Sequence, residues 1–387
     1  AAVLPARSMV AAEPCPHRPP CPGCPRYGAP GIDPRAAARL ADLAGRAGAP
    51  APGWIAGARF GFRTRARLVV RGRAASPKIG IFQAGSHRIV DIPRCRVHHP
   101  LVNRVAAAAR EAIRATGLAP YADGPDVGLV RALQVVVERP STTAQVVLVA
   151  NGHDPEPFGA LARELGGRLG AALHSLWWNG NPGRTNVVLG PHWHLWQGPR
   201  AVRERIGGVD VFYPPGAFGQ SHLDLADVLV ARVQDAVPAG SRVVELHAGC
   251  GPIGLGLLRG SASVLFVESA PAAIEGLGLG LAARPAGERS RAGVRAVAAA
   301  EALEALDGAD VVIADPPRKG IEPAVLEVLC AAPPRRLIYV ACDLDSFEVQ
   351  VAQLLASGRL RLVELVAFDL FPNTEHVETL ACFERTG

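Results

Sequence analysis

Lysine is nearly absent from this chain of 387 residues, with Lys78 and Lys319 standing against 39 arginines. A single methionine and few aromatics accompany abundant alanine, glycine and proline, the bias of a GC-rich genome. The net charge of +6 and the pI near 9.1 therefore permit a polyanionic partner without identifying one. Long apolar runs are missing too: none would span a bilayer, which excludes a helical membrane protein. Residues 1–14, AAVLPARSMVAAEP, lack the basic start and continuous apolar core of a signal peptide, so a cytoplasmic protein is expected. An apolar content of 49% against 20% charged residues excludes a disordered chain, and the length calls for two domains with a small appendage.

In a cytosolic chain the eight cysteines are not expected to form disulfides. They are unevenly spread: Cys15, Cys21 and Cys24 crowd the start, Cys95 follows alone, and the rest lie in the last third. Residues 1–57 are rich in Pro, Gly and Ala apart from a short helix expected at 33–47, and would hardly order without a staple. The group CPHRPPCPGCP, spaced C-x5-C-x2-C, supplies three thiolates toward zinc or an iron–sulfur cluster. The fourth ligand is then Cys95, or, in a zinc knuckle, His17, His98 or His99.

Residues 58–206 mix strands and helices and form the expected central α+β domain. The run FRTRARLVV at 62–70 alternates, placing Arg63, Arg65 and Arg67 on one face, where they would track a phosphate backbone unless that face is simply solvated. Strands are expected at 129–138 and 144–151 and helices at 101–116 and 156–169. Trp177, Trp178, Trp193 and Trp196 fit a core better than a base-stacking platform.

From 207 onward strand and helix alternate, as in a parallel sheet: a helix at 223–236, RVVEL at 242–246, a strand at 262–268, an Ala-rich helix, then ADVVIADPPRKG and LIYVACDLDSF. The last two runs are apolar strands that end abruptly in polar residues, delivering Asp315 and Cys342 to the crevice where open α/β sheets bind ligands. Two further strands, 361–371 and 376–384, are joined by PNTE and are expected to close one edge as an antiparallel pair. In VVELHAGCGPIG, Gly249 and Gly251 let the backbone turn sharply toward a ligand, and Glu268 ends the next strand where an acid binds ribose hydroxyls. The loop is not GxGxxG and the chain continues into DPPRKG, which favours S-adenosylmethionine over a nicotinamide dinucleotide.

Taken in order, the cysteine group, GFRTRARLVV, IVDIPRC, PPGAFGQ, VVELHAGCG, FVES, ADPPRKG, YVACD and FPNTEHVET resemble the bacterial uracil-C5 RNA methyltransferases, which form 5-methyluridine in ribosomal or transfer RNA. The resemblance implies a class I S-adenosylmethionine-dependent methyltransferase fold, Rossmann-like α/β with a closing antiparallel hairpin, over 207–387. It also implies a [4Fe-4S] cluster held by Cys15, Cys21, Cys24 and Cys95, and cofactor contacts at Gln220, His247, Glu268 and Asp315. His247 replaces a usual aromatic residue, Pro252 an asparagine, and Asp343 and Leu344 the common Asn and Pro. No RNA-binding β-barrel precedes the cysteines, which is more like the shorter enzymes acting on 23S rRNA.

Uracil C5 is a poor nucleophile, and a thiolate adding to C6 makes it a better one; the resemblance assigns that role to Cys342 and removal of the C5 proton to Glu378. An electropositive setting supplied by Arg318 is expected to lower the thiol. The partner is then an RNA whose uridine is flipped out or presented in a loop. A transfer RNA substrate, or a non-catalytic iron–sulfur RNA-binding or redox-sensing protein, are the alternatives.

Overall fold

The computed structural model describes residues 14–124, 126–184 and 187–387; the leader reading at 1–14 falls almost wholly outside them. After the cysteine segment comes helix α1 (Pro34–Arg46), started by Pro34 and by Asp33, whose carboxylate accepts from the Arg35 and Ala36 amides at 2.8 and 3.2 Å. Its apolar stripe of Ala36, Leu40, Leu43 and Ala44 is buried. Strand β1 (Gly53–Ile55) follows.

A seven-stranded sheet then forms from β2 (Arg65–Arg73), β3 (Ser76–Phe82), β4 (Ile89–Asp91), β5 (Val130–Glu138), β6 (Thr143–Ala150), β7 (Leu173–Gly180) and β8 (His192–Gln197), in the order β4-β3-β2-β5-β6-β7-β8. Helices α2 (Pro100–Thr116) and α3 (Gly159–Leu169) bury one face of it around Val105, Ile113, Leu133, Leu165 and Trp178. The hairpin β9 (Val202–Ile206) and β10 (Val209–Tyr213) leads into α4 (Leu223–Asp235).

The second sheet contains β11 (Arg242–Leu246), β12 (Ser263–Val267), β13 (Ala292–Arg295), β14 (Val311–Ala314), β15 (Arg336–Ala341), β16 (Leu360–Phe368) and β17 (Glu378–Arg385), and β1 joins it. Between these strands run α5 (Gly254–Leu257), α6 (Pro271–Ala282), α7 (Ala286–Arg289), α8 (Pro323–Ala331) and α9 (Leu344–Ala356). The order is β1-β16-β17-β15-β14-β11-β12-β13, with β17 alone running antiparallel to its neighbours. Successive residues of β15 feed opposite cores: Ile338 and Val340 face α4, α6 and the β9–β10 hairpin, while Leu337, Tyr339 and Ala341 face α1, α8 and α9.

Two expectations change. The β16–β17 pair does not close the sheet, because β1 pairs in parallel with β16 through Gly53–Val366, Trp54–Ala367 and Ile55–Phe368 and takes the edge. Residues 1–57 are thus no single appendage: the cysteines pack on the first sheet while α1 and β1 complete the second. The expected boundary at 206/207 falls in the β9–β10 turn, whose strands bury Val202, Ile206, Val209 and Val211 in the core of the second sheet. Sequence order could not reveal either pairing, since each depends on contacts between distant segments. No helix among the described residues is long and apolar enough to cross a membrane.

Because Leu40 is fully buried in the core beside β11, β14 and β15, Leu40→Ala should destabilise the whole C-terminal unit by about 2–5 kcal/mol. Denaturant unfolding monitored for that unit checks it; an unchanged midpoint would separate α1 from this core.

Candidate active site

The register of the second sheet brings the candidate residues to one edge. Leu246 pairs with Val267 and Ala314, and Ala314 pairs with Tyr339, so β11, β12 and β14 end level and β15 runs two residues further to Ala341. The residues that immediately follow them are His247, Glu268, Asp315 and Cys342. Ala341 lies opposite Thr379 on antiparallel β17, so Glu378, its first residue, comes beside Cys342. Five residues singled out from separate motifs thus share one rim.

The cofactor loop adopts the expected tight geometry. Gly249 and Gly251 sit at φ +58° and +79°, where a side chain would be strained. Glu268 grips this loop: one carboxylate oxygen accepts from the Gly249 amide at 2.8 Å and the other from the Ser269 and Ala270 amides. His247 holds a positive φ of +56° without being glycine, and its Nε2 meets Glu322 Oε2 at 3.1 Å, linking the β11 loop to the start of α8. Gln220 is half-buried on the loop between β10 and α4. That loop is fastened to the first sheet, since the Ser221 carbonyl accepts from the Thr64 amide and hydroxyl at 3.0 and 3.1 Å.

The electrostatics around the thiol run opposite to expectation. Burial pushes Cys342 up to about 11, the Glu378 and Asp315 carboxylates add to this, and Arg318 opposes it without prevailing. Burial raises Asp315 to about 7. Glu378 is 1% exposed, and burial together with Asp315 holds it well above the carboxylate range. Among the described residues its Oε2 has no hydrogen-bond partner, nor does Oε2 of buried Glu245 behind the loop. The free protein therefore keeps a protonated thiol among carboxyl groups that favour their neutral forms. Such a rim accommodates a cation well.

Cys342 also lines a cavity of about 300 Å³ with Asp33, Arg35 and Arg39 of the α1 region and with Glu375, His376 and Val377. The contribution of the α1 region carried no sequence signal, because more than three hundred residues separate Asp33, Arg35 and Arg39 from the thiol.

Cys15, Cys21, Cys24 and Cys95 line a second cavity, of about 220 Å³, with Arg63, Arg67, His98, Pro372 and Thr374. Burial raises Cys24 to about 11, with Cys95, Cys21 and Cys15 adding to the shift, so the four thiols lie within electrostatic reach of one another. Among the described residues no three Cys, His, Asp or Glu side chains converge tightly enough for a single metal ion. All three histidines have other partners: His17 Nε2 accepts from the Arg94 amide at 3.2 Å, His98 Nδ1 meets Asn103 Oδ1 at 3.2 Å, and His99 caps α2. The four thiols thus wall one space, with the Arg63 guanidinium beside them opposing the rise of Cys24.

The arginine stripe does not face solvent as a set. Arg63 and Arg67 line the thiol cavity, and Arg67 donates to Gln134 at 2.8 Å. Arg65 lies 4.1 Å over the Tyr213 ring, with Nε and Nη2 buried and unpaired. A Cβ on Gly219 would stand 2.7 Å from this guanidinium, so glycine next to Gln220 makes room for it. Alternation located the face of β2, but the loop that covers it comes from 150 residues away. Trp177 and Trp178 are core residues, as expected, while Trp193 is 37% exposed.

Comparison with known proteins agrees with this geometry. The family model for tRNA (uracil-5-)-methyltransferases matches residues 296–386. An uncharacterised RNA methyltransferase of Protochlamydia amoebophila is 36% identical over 331 residues, 84% of this chain and 86% of the relative. One from Gloeobacter violaceus is 32% identical, covering 84% and 71%. Among solved structures, a Pyrococcus abyssi tRNA (uracil-54, C5)-methyltransferase in complex with S-adenosyl-L-homocysteine superposes with a TM-score of 0.73, covering 90% of this chain and 83% of that one at 24% identity.

Glu378→Gln should stabilise the protein at neutral pH. A carboxyl raised in the folded state stabilises fully below its ordinary value of 4.5 and loses that contribution as pH rises toward the folded value. The amide variant escapes the loss. An advantage of roughly 1–3 kcal/mol at pH 7.5, vanishing near pH 4.5, is expected in denaturant melts. A pH-independent difference would mean that the carboxyl is not held neutral.

Proposed function

Because the chain belongs to the RNA (uracil-5-)-methyltransferase family, using S-adenosylmethionine to methylate uracil C5 in RNA, we propose that Cys342 is its nucleophile, Glu378 its base and 23S rRNA its substrate. The observation that carries the catalytic assignment is the register: Ala341 opposite Thr379 sets the thiol and the buried carboxylate side by side at the rim.

In this reading Cys342 Sγ bonds to C6, and the C5=C6 electron pair moves onto C5 and the O4 enolate. S-adenosylmethionine, when bound, would supply an electrophilic methyl group to C5, its S–CH3 bond pair leaving with S-adenosylhomocysteine. Glu378, in its ionised form, then takes the C5 proton; the C–H pair rebuilds C5=C6, the C6–S bond breaks, and its pair leaves with the thiolate. A cation at the rim offsets the carboxylates that hold the thiol up, so Cys342 ionises more readily once cofactor is in place. Gln220, His247, Gly249, Glu268 and Asp315 are proposed to hold that cofactor. Gly249 is already tied to Glu268.

Cys15, Cys21, Cys24 and Cys95 are proposed to hold a [4Fe-4S] cluster. Anaerobically purified protein should then contain iron and acid-labile sulfide, both reduced at least severalfold by Cys24→Ser; retained iron without sulfide would point to a single metal ion instead.

The second reading is a transfer RNA substrate, favoured by the fold shared with the Pyrococcus enzyme. Methyl transfer to purified 23S rRNA and tRNA separates the two. The catalytic assignment is tested by mass spectrometry of 5-fluorouridine RNA incubated with protein and cofactor, since fluorine at C5 blocks proton removal. A methylated adduct on Cys342 is expected, while Cys342→Ala should give none and turn over at below about 10⁻⁴ of wild type. RNA binding without any adduct would favour a non-catalytic binder.

A further inference from the structure

Glu378 has no partner for its inner carboxylate oxygen, so its aim is set by the backbone where β17 begins. The segment just before it, 369–377, is held from the far N-terminal side. Asn373 is 2% exposed at φ +68°, and its side chain makes a closed pair with Arg59: Arg59 Nη2 donates to Oδ1 at 2.9 Å and Nδ2 donates to the Arg59 carbonyl at 3.0 Å. The Asn373 carbonyl accepts from the Arg26 amide at 3.0 Å, and the Thr374 carbonyl from Arg26 Nη1 at 3.3 Å. Arg26 lies two residues after Cys24, and Pro372 and Thr374 form part of the wall of the thiol cavity. At the base of the loop, the Asp369 amide donates to the Ile55 carbonyl at 2.8 Å.

A buried asparagine in a left-handed conformation, with its amide satisfied at both ends, is a costly arrangement for a connection between two strands. A glycine-containing turn would join β16 to β17 without it. What the arrangement achieves is to tie the approach to Glu378 to the cysteine-bearing segment rather than to the sheet alone.

We propose that Asn373 and Arg59 form a positioning pair that aims Glu378, so that the cysteine-bearing segment governs removal of the C5 proton. The inference rests on the assignment of Glu378 as base. The step at issue is the last one: the carboxylate takes the proton, the C5–H pair rebuilds the double bond, and the thiolate leaves C6. Methyl transfer precedes it and does not use the carboxylate. Loosening the pair therefore slows release selectively and leaves methylated RNA attached to Cys342. An error near 1 Å in a proton acceptor costs on the order of 100-fold.

The test is a single-turnover experiment with full-length protein, radiolabelled S-adenosylmethionine and a uridine-containing RNA substrate, resolving free methylated RNA from protein-bound methylated RNA under denaturing conditions. Asn373→Gly keeps the positive φ and removes both side-chain bonds; Arg59→Ala opens the pair from the other side. Each should slow release by roughly 10- to 100-fold while transfer stays within about threefold, and the double variant should be no worse than either single one. Release at the wild-type rate, equal slowing of both steps, or additive effects would overturn the proposal. Glu378→Gln is the control: it should accumulate the most adduct. If it accumulates none, the assignment of the base fails and this inference falls with it, an outcome distinct from a normal Glu378→Gln result beside unaffected Asn373→Gly.

Discussion

Buried negative charge without a counter-ion is the constraint around which the C-terminal unit is built. Glu245, Asp315 and Glu378 lie at or behind the rim of the sheet, two of them with an inner oxygen that no donor reaches. In a free protein such groups favour their neutral forms and weaken the fold. The strands carrying them are buried on both faces, in two cores that meet across the sheet. The rigidity that offsets the cost also keeps the acids from turning toward solvent.

That constraint sets the order of chemical events. Burial first and the neighbouring carboxylates second raise the Cys342 thiol, and burial with Asp315 raises Glu378, so both groups are shifted toward their protonated forms. The missing component is positive, and the cofactor of this family carries it. Arg318, the cation expected to activate the thiol, acts in the right direction but is outweighed. Arg65, with Nε and Nη2 buried, lies instead beneath the Gln220 loop, over Tyr213.

The N-terminal segment is shared among all parts of the molecule. Its cysteines pack against the first sheet, α1 lines the Cys342 cavity, β1 takes the edge of the second sheet, and Arg26 and Arg59 hold the loop before Glu378. The thiol cavity and the active site are therefore joined by polypeptide and hydrogen bonds, not merely adjacent.

The amino-acid sequence by itself determined the alternation of strand and helix after residue 207, the glycine turn, and the strand ends that deliver Asp315 and Cys342. Local rules govern all of these: apolar runs form buried strands, and their ends are marked by the residues that cannot continue them. Alternation likewise located β2, and β5 and β6 were also expected as strands. Tertiary structure alone decided which distant pieces meet. β1 pairs with β16 across more than three hundred residues, Arg65 leaves an apparent solvent face for a buried seat, and Asn373 finds Arg59. The sign of the thiol's environment was also decided there, because desolvation and the distance to Glu378 depend on how strands register, and register is a property of the assembled sheet.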